Sequence, residues 1–182
     1  MYDGASYKKM SCAGMPLPNP DNLSYSFNTD GIAYGKSSHQ QIWPIFLMIN
    51  ELPPRLRVKH MLLASIWVGK SEPDMNVFLQ PFVEEANDLY VNGFNWQHGE
   101  RAVHSVAIPM CYVLDSQARW RALNHTCFSG YKSYTFCEIP GKWIAGYGMR
   151  FEMSEDVAPE RTDADIKKCM VEATVDSISL QD

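Results

Sequence analysis

Two aspartates, Asp30 and Asp115, each stand where an apparent strand runs out. The first closes Tyr25-Ser26-Phe27-Asn28-Thr29-Asp30 and is followed by Gly31. The second closes Ile108-Pro109-Met110-Cys111-Tyr112-Val113-Leu114-Asp115 and opens a helix-like stretch. If the two strands are neighbours, both carboxylates meet at one edge of a sheet. Paired carboxylates are hard oxygen ligands and suit Mg²⁺ or Mn²⁺. A pair of such ions can cut a phosphodiester by in-line attack. The ordinary alternative is that Asp collects at strand ends because its side chain bonds nearby backbone in turns.

The elements that would position this pair can be read from pattern. Residues 1–22 read as irregular, with three alternating prolines in Met15-Pro16-Leu17-Pro18-Asn19-Pro20. Proline cannot donate to a sheet and favours an extended connector. A strand is expected over Leu23–Asp30 and a second over Gln41–Asn50. Pro44 removes one donor from the second, which points to an edge or a bulge. Leu56–Val68 reads as a third strand, or in part as a short buried helix. From Met75 to Tyr90 apolar residues follow helical spacing. Asp74 or Ser71 is placed to cap its start and Gly93 to end it. Pro81 inside it should introduce a kink. Asn95–Arg101 reads as a polar loop, Val103–Leu114 as a strand and Asp115–His125 as a short helix with Arg119 and Arg121 exposed. A final helix is expected near Thr162, where Thr162 and Asp165 approximate a capping box.

Composition sets outer limits. The 182 residues are 46% hydrophobic and 20% charged, which is globular rather than disordered. The net charge is −5, and a free-standing DNA binder usually carries a basic surplus. Five cysteines, Cys12, Cys111, Cys127, Cys137 and Cys169, are odd in number and irregular in spacing. That argues against a disulfide framework and for reduced thiols. The longest apolar run, Ile42–Ile49, is too short to span a bilayer, so no membrane association is expected. Trp43, Trp67, Trp96, Trp120 and Trp143 are scattered, with core packing the default and Trp96 and Trp120 the better exposed candidates.

Longer blocks carry a family resemblance. Asn19–Gly31, Ile42–Pro54, Lys59–Ala64, Lys70–Asn76, Asp115–Arg119, Phe128–Tyr131 and Cys137–Gly141 resemble, in order, segments of CACTA-type (En/Spm-like) DNA transposases of the animal branch. The likeness runs over about residues 7 to 172. It implies an α/β fold with a ribonuclease H-like mixed sheet, in the order strand, strand, strand, helix, strand, helix, and incomplete. It divides the chain into an irregular segment 1–22, a partial transposase core 23–150 and a helix-containing tail 151–182. It implies DDE-type chemistry with Asp30 bridging two Mg²⁺ or Mn²⁺ ions and Asp115 binding one. Gly31 would allow close approach of backbone or phosphate. Transposon-end DNA is the implied partner, with a homo-oligomer and a nuclear location.

The chain departs from that family in two places. A third catalytic acid is expected beyond Asp182. Glu152, Glu155, Asp165 and Glu172 read as surface residues instead. The relatives' Cys-x-x-Cys and nearby His survive here only as Cys137, with Tyr134 and Ile139 in the other places. One thiolate cannot close a tetrahedral zinc shell, although His125, Cys127 and Cys137 could improvise one. The expectation is therefore a fragment of a transposase catalytic domain, inactive alone. The competing readings are a non-catalytic DNA- or protein-interaction module derived from a transposon, a degenerate remnant and a complete small nuclease.

Overall fold

The computed structural model describes residues 4–34, 40–125, 127, 129–152 and 158–168. The chain divides into two compact units, Met1–Asp115 and Ser116–Asp182.

The first unit begins with a short helix, α1 (Ala5–Met10), inside the segment read as irregular. Strand β1 (Leu23–Thr29) follows, then β2 (Ile32–Tyr34) and β3 (Gln40–Ile49). β1 and β2 pair with β3 in a single antiparallel register: Tyr25 faces Ile49, Thr29 faces Ile45, and Ile32 faces Ile42. They are two halves of one strand, interrupted at Asp30-Gly31. In that register the interruption falls opposite Pro44 and Trp43. Proline has no N–H to give a neighbouring strand, and the ladder lapses there. Pro44 was expected at an edge or a bulge; β3 is interior and Pro44 is buried, which leaves the bulge. A register shift lies beside it, between Ile45 and Phe46.

The third expected strand is shorter than its pattern. Pro53-Pro54 starts α2 (Pro54–Arg57), with proline in the first turn where its missing N–H costs nothing. Arg57 then donates to the carbonyls of Asn50 (2.6 Å) and Leu52 (2.7 Å), fixing the corner. Strand β4 (Leu62–Gly69) follows, antiparallel to β3 on its other side. Helix α3 (Met75–Val91) has the predicted boundaries. Asp74 caps it, accepting from Asn76 N at 2.9 Å. Gly93, at φ +68°, stands just past its end. The helix runs through Pro81 without interruption.

The expected polar loop is a hairpin instead, β5 (Phe94–His98) with β6 (Arg101–Ser105), turning at Gly99 where φ is +61°. Both strands are largely exposed, so no apolar alternation marked them. The long expected strand Val103–Leu114 is divided at Val106, leaving β7 (Ala107–Val113) separate. The Asn22 side chain accepts from Val106 N at 2.9 Å, intercepting a ladder donor. β7 lies parallel to β1, from Leu23 beside Ala107 to Asn28 beside Val113. The main sheet is thus mixed, in the spatial order β4, β3, β1/β2, β7. α3 covers one face: Phe82 packs on Phe27 at 4.9 Å, and Phe27 stacks on Tyr112 at 4.3 Å. Burial pushes the Tyr112 phenol pKa up.

The opposite face is polar near the start of β1. Asn50 is fully buried there. It accepts from Ser26 Oγ (2.8 Å) and donates to Ser24 Oγ (3.1 Å). Glu51 also receives the Ser24 amide at 2.8 Å.

The second unit opens with α4 (Ser116–Ala122). It continues through irregular backbone to a hairpin of β8 (Lys142–Ile144) and β9 (Gly148–Arg150). Arg161 donates to the carbonyls of Tyr134 (2.9 Å) and Lys132 (3.2 Å), staking that loop. Residues 163–168 are helical. Asp165 accepts from Thr162 N while Thr162 Oγ1 accepts from Asp165 N, which is the reciprocal box read from sequence.

Two outcomes are expected. Asn50→Ala should destabilise the protein by ~1–3 kcal/mol, because buried hydroxyls lose partners; urea unfolding measures this. The Thr162 hydrogen bonds hold the Asp165 carboxyl below its ordinary range. Its contribution is therefore complete above the unfolded Asp value of about 3.9 and is lost as pH falls through the lowered folded value. An NMR titration of the Asp165 side chain should give a midpoint below that of an unfolded Asp.

Candidate active site

The carboxyl ends of β1 and β7 carry both sequence-predicted acids. Alternation along each strand turns Thr29 and Leu114 inward, and both are buried. Asp30 and Asp115 follow, and both are exposed. The last paired residues are Asn28 and Val113. Each Asp stands two residues beyond its member of that pair, on the face away from α3. The two ends are also clasped by a side chain, because Asn28 Nδ2 donates to Val113 O at 2.7 Å. Nothing in the sequence reading singled out Asn28. The available signal is an amide two residues before an acid at a strand end.

Gly31 has a packing role that its sequence neighbourhood did not announce. A Cβ there would lie 2.5 Å from Trp43 Cζ2. Trp43 is buried, and its indole occupies the space a side chain at 31 would need. The glycine therefore admits the indole, which backs the turn that carries Asp30.

Two exposed carboxylates at adjacent strand ends fit a hard cation that keeps much of its own water. Among the described residues, no group of three or more His, Cys, Asp or Glu is arranged to hold a metal. His125, Cys127 and Cys137 thus do not make a three-ligand site. Cys12, Cys111, Cys127 and Cys137 are thiols rather than disulfides. Glu152 is exposed, and Asp165 is engaged in its helix cap. Glu155, Cys169 and Glu172 lie outside the described residues. Trp43 is buried and Trp96 exposed, as read; Trp120 is half-buried, and Trp67 and Trp143 depart from the core-packing default by being exposed. No described helix is long and apolar enough to cross a membrane.

Residues 2–144 match the profile of the transposase family tnp2. The chain belongs to that family. The match includes both acids and every element of the mixed sheet, so the sheet just described is that of a tnp2-family transposase domain. No curated protein and no solved structure matches it.

In this tnp2-family chain, Gly31→Val should displace the Trp43 indole and destabilise the fold by ~1–3 kcal/mol through overpacking. Urea unfolding followed by tryptophan fluorescence gives the check; an unchanged midpoint would mean the turn accommodates the side chain.

Proposed function

We propose that this chain is the amino-terminal part of a DDE-type transposase catalytic domain, on a ribonuclease H-like sheet. Asp30 and Asp115 are its first two metal-binding carboxylates, and the subtype is the animal branch of the CACTA transposases. The observation that carries this reading is the parallel β1–β7 ladder, whose register leaves one acid just beyond each strand end. The spatial order of the strands supports it too: the third, second, first and fourth strands of the main sheet lie side by side, with only the first and fourth parallel.

Each residue's part follows from its position. The Asn28 clasp holds the two strand ends together. Buried Thr29 and Leu114 fix the direction in which the acids leave the sheet. Trp43 supports the turn behind Asp30. The carboxylates of Asp30 and Asp115 hold Mg²⁺ or Mn²⁺. When bound, such an ion neutralises phosphodiester charge and makes a nucleophile of water or a hydroxyl. The intact family acts on transposon-end DNA, as an oligomer in the nucleus. Among the described residues no third acid joins the pair, and two carboxylates by themselves retain such an ion weakly.

The test is Mn²⁺ titration of the full chain, followed by paramagnetic broadening of backbone amides. Broadening should concentrate at residues around Asp30 and Asp115 and disappear in Asp30→Asn. A folded protein with no selective broadening at either acid would sink the metal reading.

A further inference from the structure

One edge of the main sheet lacks the usual protection. Among the described residues β4 pairs with β3 alone, so its outer row of N–H and C=O groups points away from the sheet. Proteins ordinarily blunt such edges with charge, proline or a bulge, because a bare edge templates pairing with another chain. At the opposite edge, β7 carries Pro109 and a register shift beside it. The run Leu62-Leu63-Ala64-Ser65-Ile66-Trp67-Val68-Gly69 holds no charge and no proline. Its one irregularity is at Ala64, between the pairs Leu63–Phe46 and Ser65–Ile45. From Ser65 to Gly69 the ladder is regular.

The composition of β4 is that of a covered strand. Near-continuous apolar runs mark strands buried on both faces. Here Leu62 is 51% exposed, Leu63 54%, Ile66 52% and Val68 56%. Both faces are open. Ile66 and Val68 stand opposite Pro44 and Ile42, and Trp67 stands opposite Trp43 on the other face. On the helix side, a cavity of about 200 Å³ lies between β4 and α3, lined by Ala64, Ser65, Phe82 and Leu89 among others. A strand bare at its edge and on both faces is answered by another strand, which supplies backbone partners and side chains above and below together. A helix laid on the sheet would cover one face and leave the backbone row unpaired.

The flanks of β4 select which strand. From Arg55 to Met61 there are three Lys or Arg and no acid. From Lys70 to Asp74 there are two acids and one Lys. A second copy of the chain, running antiparallel, lays its basic end beside the acidic end of the first. A parallel copy would set like ends together. Antiparallel pairing of identical strands also closes about a two-fold axis, with one patch serving both sides. The edges left over are then those of β7, which Pro109 guards.

We propose that β4 is a self-pairing edge, through which two copies of this chain join antiparallel about a two-fold axis at Ile66. The two sheets become one, and the two Ile66 side chains meet across the axis. Eight residues of strand span about 27 Å. That is a contact at the small end of specific interfaces, so the dimer forms reversibly. The inference names a surface for the oligomer in the proposed function, but it does not rest on the metal-binding pair.

The experiment is sedimentation velocity of the full chain in EDTA, from low to high micromolar concentration. Chelation removes any cation at Asp30 and Asp115, so the two readings fail separately. The mass should rise with concentration from the 20.7 kDa of one chain toward twice that value. Ile66→Lys and Ile66→Glu, changes at an exposed position, should each weaken association about tenfold or more, because like charges then face one another across the axis. Mixing the two variants should restore it. Val68→Lys, checked by circular dichroism for an unchanged fold, gives a second reading of the same edge and should also weaken association. Hydrogen exchange at Ser65–Gly69 should slow as the wild type associates. A chain that stays monomeric overturns the proposal. So does a dimer that survives these substitutions or leaves exchange in β4 unchanged, since either puts the contact on another surface. Failure of the Lys and Glu variants to associate when mixed also overturns it.

Discussion

The arrangement of the first unit depends on one missing hydrogen-bond donor in the middle of a sheet. β3 is flanked on both sides, a place where proline is ordinarily excluded. Pro44 sits there nonetheless, and the strand opposite it is broken into β1 and β2. Trp43, its neighbour, fills the break with an indole that only glycine at 31 leaves room for. Asp30 is the first of two positions of that strand, Asp30 and Gly31, released from pairing between the paired Thr29 and Ile32. The turn is short, backed by a buried ring and anchored to β7 through Asn28. That combination presents an acid at a fixed place, more firmly than a loop would.

Charge is spread evenly between the two units. An overall −5 argues against a protein that grips DNA unaided. Both units share that balance: residues 1–115 carry eight Lys or Arg against eleven Asp or Glu, and residues 116–182 carry eight against ten. The acids at the sheet edge therefore sit in a chain that offers no strong positive field of its own, and a carboxylate pair in such surroundings calls for a bound cation before a phosphate can approach.

Sequence was most informative where local chemistry and burial agree. Leu23–Thr29 alternates and is a strand. Asp74 and Gly93 bracket α3 because capping and left-handed backbone are local requirements. Thr162 and Asp165 announce their reciprocal bonds for the same reason. The parallel partnership of β1 and β7 was expected only through the ribonuclease H-like order that the family resemblance implies. What was hidden required knowledge of neighbours. Asn95–His98 is too exposed to alternate, so its hairpin resembled a loop. The pattern of Leu56–Val68 did not reveal that Arg57 would bind two carbonyls and turn the chain. Pro44 pointed to an edge or a bulge, and no sequence rule says which it will be or that the opposite strand will open for it. Trp67 and Trp143 were read as core because ring size alone does not distinguish a packed ring from an open one, whereas the polar stretch around Trp96 announced its exposure.

The Asn28–Val113 clasp joins residues 85 apart in the chain, and that separation has a kinetic consequence. β1, β2, β3 and β4 pair through local antiparallel contacts, which close cheaply and early. β7 can join only after α3 and the β5–β6 hairpin have been threaded past, and parallel pairing over so long a loop is slow. The strand that brings Asp115 to Asp30 is therefore expected to be the last of the sheet to dock. Until it does, the chain has its framework but not its pair of acids.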